Sequence, residues 1–392
     1  MMIAKRRLLL AVFGCLAALG GARAEQGIGA TEIAIGTIQD LSGPIAAFGK
    51  QTRNGLQMRV DEANAQGGIN GRKIRLFVED SGYDPKKALL AAQKLATEDK
   101  VFAILAHIGT AANMAAMPVQ FEHDVINFLP LTGAREMYEP PSKLKLSSAP
   151  SYYDQIRTSL AYLVPKKGYK RVGILYQDDE FGLEVVRGTE AELKALGLQL
   201  IERASFKRGA TDFSSQIARL KAANCDLVVL ATIIRETVGS IVEARKSGFN
   251  PDFVGTSALY THLIHTLGGP AVDGLYGTNS ILNPYSDDES QAVRDWAAKY
   301  KEKFGEDPAV FSVYGYDIAD VFCVAAAKAG ANLTLDSFNA AIESTIFRDP
   351  LFGGPDLRFT AKDRLGTRKV HISQIVNSKW KAITPLMDPP AE

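Results

Sequence analysis

The feature that most constrains this chain is an alternation of strand-like and helix-like segments that runs through once, pauses, and runs again. In the first run, Thr31–Ile38 alternates apolar and polar positions with β-branched residues, and 73–79, 101–105 and 125–128 read as further strands. Helical periodicity fills the gaps at 46–66, 84–98 and 110–122. The first of these helices stops at Gly67-Gly68, and the second opens at Asp84-Pro85, where proline suits a first turn. Pro150-Ser151 marks the pause. A second run then begins, with helices predicted at 152–167, 181–196, 212–223 and 236–248 and strands at 171–176, 199–205, 226–231 and 253–255. Repeated β-α units predict parallel sheets covered by helices on both faces, an α/β class. Two runs in 392 residues predict two such units, each of ordinary domain size. The last third is less regular. It reads as a strand at 275–278, helices at 287–304, 311–331 and 335–344, and a closing hairpin of 370–376 and 380–383.

The first 24 residues read as an address. Lys5, Arg6 and Arg7 precede an apolar run from Leu8 to Leu19, and Ala22-Arg23-Ala24 places small residues where a signal peptidase cuts. The run is about 12 residues, short of a bilayer's roughly 30 Å hydrocarbon core. Val12-Phe13-Gly14-Cys15 loosely resembles a lipobox, an alternative cleavage route. The whole chain has 45 basic and 44 acidic residues, a net charge of +1. Cleavage after Ala24 leaves 41 basic residues against 44 acidic, a net charge of −3. Neither value suits a chain that holds nucleic acid or an anionic membrane over its whole surface. With no later stretch close to 18 consecutive apolar residues, the expectation is a soluble periplasmic or extracellular protein.

Catalytic chemistry finds little support. There is no phosphate-cradling GxxxxGK[ST] loop and no GxSxG elbow, and the glycines of 67–71 lie between helix and strand, the wrong order for a phosphate loop. His262 and His265 share a helical face without a third ligand at convincing spacing, so no metal site is expected. Cys225 and Cys323 read as buried thiols, with a disulfide between them left open. The carboxylates form no pair at a defined spacing. The most informative local stretch is His107-Ile-Gly-Thr-Ala-Ala-Asn113, which follows a strand and opens a helix. In doubly wound sheets ligands sit at such strand ends, and a helix start there offers unpaired amides and the positive dipole end. Thr110 adds a hydroxyl, so the turn suits a carboxylate or another oxygen-rich group, with His107 at its rim.

These segments, taken in order, resemble the periplasmic branched-chain amino-acid-binding proteins, type I substrate-binding proteins of ABC transporters. The resemblance rests on Gln39-Asp-Leu-Ser-Gly-Pro-Ile-Ala-Ala-Phe-Gly49, the stretches 55–64, 67–74 and 80–88, and the Gly109-Thr110 turn. It continues through Tyr176-Gln-Asp-Asp-Glu-Phe-Gly-Leu183, 209–214 and Tyr314-Gly-Tyr-Asp-Ile-Ala319. It spans nearly all of 28–385. It implies two lobes joined by three hinge crossings, lobe I from 25–150 plus 282–358 and lobe II from 151–281 plus 359–392. It also implies a monomer without cofactor or enzyme activity, which closes on a small solute and delivers it to the permease subunits.

For the site, the resemblance implies that Thr110 holds a ligand carboxylate. The next turn's positions fall on Leu131 and Gly133 with Thr132 between, so that hydroxyl is shifted by one residue or lost. The second lobe's acidic residue for a ligand amine falls on Ser257. Wall aromatics fall on Phe48, Phe181 and Tyr316, another second-lobe aromatic on Ile233 beside Arg235, and Tyr152 stands at the hinge side. A carboxylate anchor without an amine partner points to an acid lacking an α-amine, because a buried unpaired ammonium costs several kcal/mol. A sensing module of the same fold and an exported enzyme are the rival functions.

Overall fold

The structure, a computed structural model, describes residues 25–391. Residues 1–24, on which the expected export segment, Cys15 and the expected cleavage after Ala24 fall, lie outside the described residues.

Two sheets organise the chain. The first takes β1 (Glu32–Gln39), β2 (Lys73–Asp80), β3 (Ala103–Leu105), β4 (Ile126–Phe128) and β5 (Lys145–Leu146) in the order β2-β1-β3-β4-β5, all parallel. Helices α1 (Ala46–Ala65), α2 (Pro85–Thr97) and α3 (Thr110–Glu122) connect them. The chain then crosses to α4 (Tyr152–Lys167), whose start is capped by Ser151 accepting from the Asp154 amide at 2.9 Å. In the second region β6 (Val172–Gln177), β7 (Leu200–Phe206), β8 (Leu227–Ala231), β9 (Asp252–Gly255) and β10 (Tyr276–Asn279) alternate with α5 (Glu180–Ala195), α6 (Ser214–Ala222), α7 (Arg235–Lys246) and the short α8 (His262–Gly268).

After β10 the chain returns to the first lobe as α9 (Gln291–Phe304), α10 (Val310–Ala329), α11 (Leu335–Glu343) and a small hairpin of β11 (Ile346–Phe347) with β12 (Leu357–Arg358). It crosses a third time to add β13 (His371–Val376) and β14 (Lys379–Ala382) antiparallel at the edge, which gives the order β14-β13-β10-β9-β8-β6-β7. The fold is therefore the expected two-lobed α/β arrangement with three crossings.

The third crossing falls later than residue 358. Leu365 bridges Ser147 beside β5, and the buried Arg364 donates to the Lys145 carbonyl at 3.0 Å and pairs with Glu343 at 2.9 Å. The stretch 359–366 thus continues the first sheet, and Val370, which bridges Met387, is the first residue paired within the C-terminal segment.

Close backbone contact ties the returning segment to the first lobe. A Cβ on Gly55 of α1 would stand 2.0 Å from the Ser312 carbonyl of α10, and one on Gly315 2.2 Å from the Thr52 carbonyl. Glycine at both positions lets the two helices touch through their main chains. By length and mean hydropathy α10 is apolar enough to cross a membrane, although Asp317, Asp320 and Lys328 interrupt its apolar run, and two-thirds of it is buried inside the protein. Its apolarity serves the core beneath β1, β3 and β4, where Phe322 and Phe338 meet Phe102 and Phe128 edge-on or tilted.

Candidate functional site

Two turns at the carboxyl ends of β3 and β4 form the floor of the cleft between the lobes. Ala106 follows β3 with φ +54° and Leu129 follows β4 with φ +48°, left-handed values that residues with a Cβ adopt only when their surroundings impose them. The turns brace each other. The Leu131 amide donates to the His107 carbonyl at 2.9 Å, the Gly109 amide to the Leu131 carbonyl at 3.2 Å, and the Asn113 side chain donates to the His107 and Gly109 carbonyls, both at 2.8 Å. Gly109 has φ +98°, and a Cβ there would meet the Tyr83 ring at 2.9 Å. The turn therefore needs glycine. It presents the start of α3, whose first-turn amides have no acceptor within the helix.

Thr110 and Thr132 come together at this floor. Their hydroxyls lie 2.6 Å apart and both residues are nearly fully buried. A hydroxyl thus stands beside Thr110, one residue from the positions on which the resemblance falls.

The cleft holds about 340 Å³. Thr110, Phe48, Leu131, Tyr152, Phe181 and Ile233 of the sequence-predicted residues line it. Ile108 and Gly109, from the stretch that the sequence marks, and Ile45, Tyr83, Ala258 and Phe311, which the sequence reading did not single out, complete the lining. Phe48 stacks on Phe311 with centroids 3.7 Å apart and planes 11° from parallel, and Tyr152 meets Phe181 edge-on at 4.8 Å. Burial raises the phenol pKa of both Tyr83 and Tyr152, so each stays neutral at physiological pH.

The other expected residues stand elsewhere. Thr132, Gly133 and Ser257 line an adjoining chamber, and the Ser257 amide donates to Gln155 Oε1 at 2.7 Å. His107 is fully buried beneath the turn, with neither ring nitrogen hydrogen-bonded, and burial pulls its pKa down to about 3. Arg235 starts α7 at the surface, 3.3 Å from Glu236. Tyr316 turns away from the cleft toward α1 and α9, where its hydroxyl donates to Glu62 at 2.7 Å and its ring meets Trp296. Phe311, one and a half turns earlier on α10, supplies the aromatic instead. Periodicity alone could not tell which face of α10 met the cleft, because the helix is apolar on most sides.

The lobes touch across the cleft. Arg208, between β7 and α6, donates to the Tyr83 carbonyl at 2.9 Å and to Asp179 Oδ2 at 2.6 Å, and its guanidinium lies 4.6 Å from the Tyr83 ring centroid. Arg135 of the first lobe approaches Glu184 of α5 to 3.6 Å and stacks over Tyr153 at 4.0 Å. These contacts bridge the two lobes beside the cleft.

The adjoining chamber is larger, about 1260 Å³ including its opening to solvent. All three crossings line it, through Ala149 and Pro150, Ser280 and Ile281, and Thr367 and Val370. One stripe of α10 (Tyr314, Asp317, Ile318, Val321, Val324) forms a side. Cys225 and Cys323 are free buried thiols in the separate cores of the two lobes, and no cluster among the described residues suits a metal ion.

Two α/β lobes, three crossings and an interlobe cleft floored by a helix start define the class: a type I solute-binding protein. The family model described as a periplasmic binding protein matches residues 32–379, and the chain belongs to that family. A Leu/Ile/Val-binding protein homolog 2 from Brucella abortus (strain 2308) is 27% identical over 357 residues, 89% of this chain and 91% of its own. Among solved structures, a fatty acid ABC transporter substrate-binding protein from Thermomonospora curvata superimposes with a TM-score of 0.84 at 25% identity, over 93% of this chain and 94% of its own. A solute-binding protein from Rhodopseudomonas palustris BisB5, solved with 3,4-dihydroxy benzoic acid, superimposes with a TM-score of 0.79 at 21% identity, over 91% of this chain and 98% of its own.

Proposed function

We propose that this solute-binding protein is exported to the periplasm, closes on a small organic acid lacking an α-amine, and delivers it as a monomer to the permease subunits of an ABC importer. The lining of the cleft carries the reading. It offers the Thr110 hydroxyl, with Thr132 behind it, and the α3 amides at one end, and none of its lining residues is an acid or a base. Charge-assisted hydrogen bonds from those donors satisfy a carboxylate, whereas an ammonium would be desolvated without a partner. Phe48, Phe311 and Phe181 suit a flat apolar body. Aromatic and aliphatic acids are compatible with the fold, given the ligands named for the Rhodopseudomonas and Thermomonospora proteins.

Closure is the working step. The acid first engages the Thr110 turn, and the residues of α4, α5 and the β8–α7 connection reach it only when the lobes meet. An acid that favours the closed form about 10⁴-fold takes a 1:99 population to 99:1. Nothing in the lining pairs a nucleophile with a base, which supports binding rather than turnover.

Calorimetry on the mature chain tests the reading, with benzoate and butanoate against leucine and valine. The acids are expected to bind at micromolar concentration or tighter, and Thr110→Val to weaken them roughly 10- to 100-fold, the range for hydrogen bonds to a charged group. Tight leucine binding with no acid binding overturns it.

A further inference from the structure

The chamber and the cleft share a boundary. Leu131, Tyr152, Ala258 and Phe311 line both spaces. Thr110 faces the cleft and Thr132 the chamber, and their hydroxyls touch at 2.6 Å. A head group held at that pair therefore sits where the two spaces meet.

We propose that the chamber is the second half of the solute site, and that the natural solute is an elongated amphiphile whose carboxylate lies at the Thr110–Thr132 pair and whose apolar body runs along the α10 stripe between the crossings. This rests on the organic-acid reading of the cleft.

Three observations carry it. The first is size: with their openings to solvent included, the chamber at about 1260 Å³ is several times as large as the cleft at about 340 Å³, so it has room for a body that the cleft alone does not hold. The second is the lining. Leu129, Ile318 and Val321 are apolar, while the nearby charges are committed elsewhere. Asp320 pairs with Arg59 at 2.7 Å, Arg348 lies 3.8 Å from Asp356, and Asp349 accepts from the Leu351, Phe352 and Gly354 amides. Asp317 Oδ2 is buried with no hydrogen-bond partner among the described residues, and burial raises its carboxyl pKa well above the usual range, which favours the uncharged form. The third is the mouth. Val324 and Ile346, both chamber residues, are large apolar side chains left 40% and 38% exposed. An apolar rim at the opening of an apolar space is the arrangement that marks a ligand-binding groove.

Because the crossings form the chamber's sides, the apolar body would pack against the segments that bend during closure. Tail length would then affect both affinity and the closed population.

The test is a series of straight-chain carboxylates from butanoate to dodecanoate, titrated calorimetrically into the wild-type mature chain and into Thr110→Val, Val324→Trp and Ile346→Trp. Val324 and Ile346 are exposed enough for the larger ring to be tolerated, and thermal melts verify folding of each variant. Wild-type affinity is expected to rise about fourfold per methylene once the acid outgrows the cleft. The tryptophan variants should flatten that rise without changing butanoate binding, and Thr110→Val should weaken every length by a similar factor. Affinity that stops rising at cleft-sized acids, or rises equally in both tryptophan variants, overturns the chamber's role and leaves the cleft reading standing. Length-dependent binding indifferent to Thr110→Val overturns the single two-part site. No acid binding at any length, with leucine bound instead, removes the cleft reading and the chamber with it.

Discussion

The two sides of the cleft follow different rules. The first-lobe side is rigid and polar at its centre: two strained turns brace each other, Asn113 holds both carbonyls of one turn, and Thr110 and Thr132 present their hydroxyls. The second-lobe side is apolar, made of Tyr152, Phe181, Ile233 and Ala258, and its charged contacts with the first lobe, Arg208 with the Tyr83 carbonyl and Glu184 with Arg135, lie outside that lining. The difference teaches a division of labour. Orientation and head-group chemistry are decided before closure, on a surface that needs no rearrangement. The second lobe contributes water exclusion, which strengthens the hydrogen bonds already made.

The sharpest way to break this contrast is to place a charge on the apolar side. Ala258→Asp puts a carboxylate among the lining residues. Acid affinity is expected to fall at least about 100-fold from like-charge repulsion, and an α-amino acid such as valine to gain measurable binding, read by calorimetry at pH 7.5. Unchanged acid affinity would mean that the second lobe does not close over the ligand.

The rigid side can be probed through the histidine beneath it. Unfolded His107 protonates near pH 6.5, whereas burial holds the native ring neutral down to about pH 3. Its folded pKa is depressed, so below pH 6.5 the unfolded state takes up the proton and the native state does not. This contribution to stability is therefore complete above pH 6.5 and is lost as pH falls toward 3, at about 1.4 kcal/mol per pH unit. Urea unfolding between pH 7.5 and 4.5 should show that slope, and His107→Gln should lower it by about one proton. An identical slope in the variant would show that the native ring finds water or a partner.

The smallest effect is expected at the margin. Arg208→Ala removes the hydrogen bond to the Tyr83 carbonyl, a contact made across the lobes, and should weaken acid binding about three- to tenfold while shifting the unliganded protein toward an open form in solution scattering. A variant that matches wild type in both measurements would place the energy of closure in the remaining contacts, the apolar lining and the Arg135–Glu184 pair.

Much of the architecture was legible because its signals are local. Strand alternation, the Asp84-Pro85 start and the Ser151 cap depend on neighbours a few residues away, and helices at 110–122 and 152–167 stand at their predicted bounds. Thr110 was legible for the same reason, since a hydroxyl at a helix start after a strand has a chemical meaning wherever that strand lies. Phe48, Tyr152, Phe181 and Ile233 were candidates through the family resemblance, position by position, and not through a local signal of their own.

What the sequence by itself determined, then, was the α/β alternation, the pause between two units and the chemistry of one turn. The tertiary structure decided the rest. It chose Phe311 over Tyr316, because which face of an almost wholly apolar helix meets the cleft depends on how α10 lies on α1. It joined Thr132 to Thr110 across 22 residues, kept 359–366 on the first sheet through Arg364, and opened a chamber between three segments far apart in the chain. The reason is the range of the forces. Propensity and capping act within a turn or two, whereas a cavity exists only where packed surfaces from distant segments fail to meet.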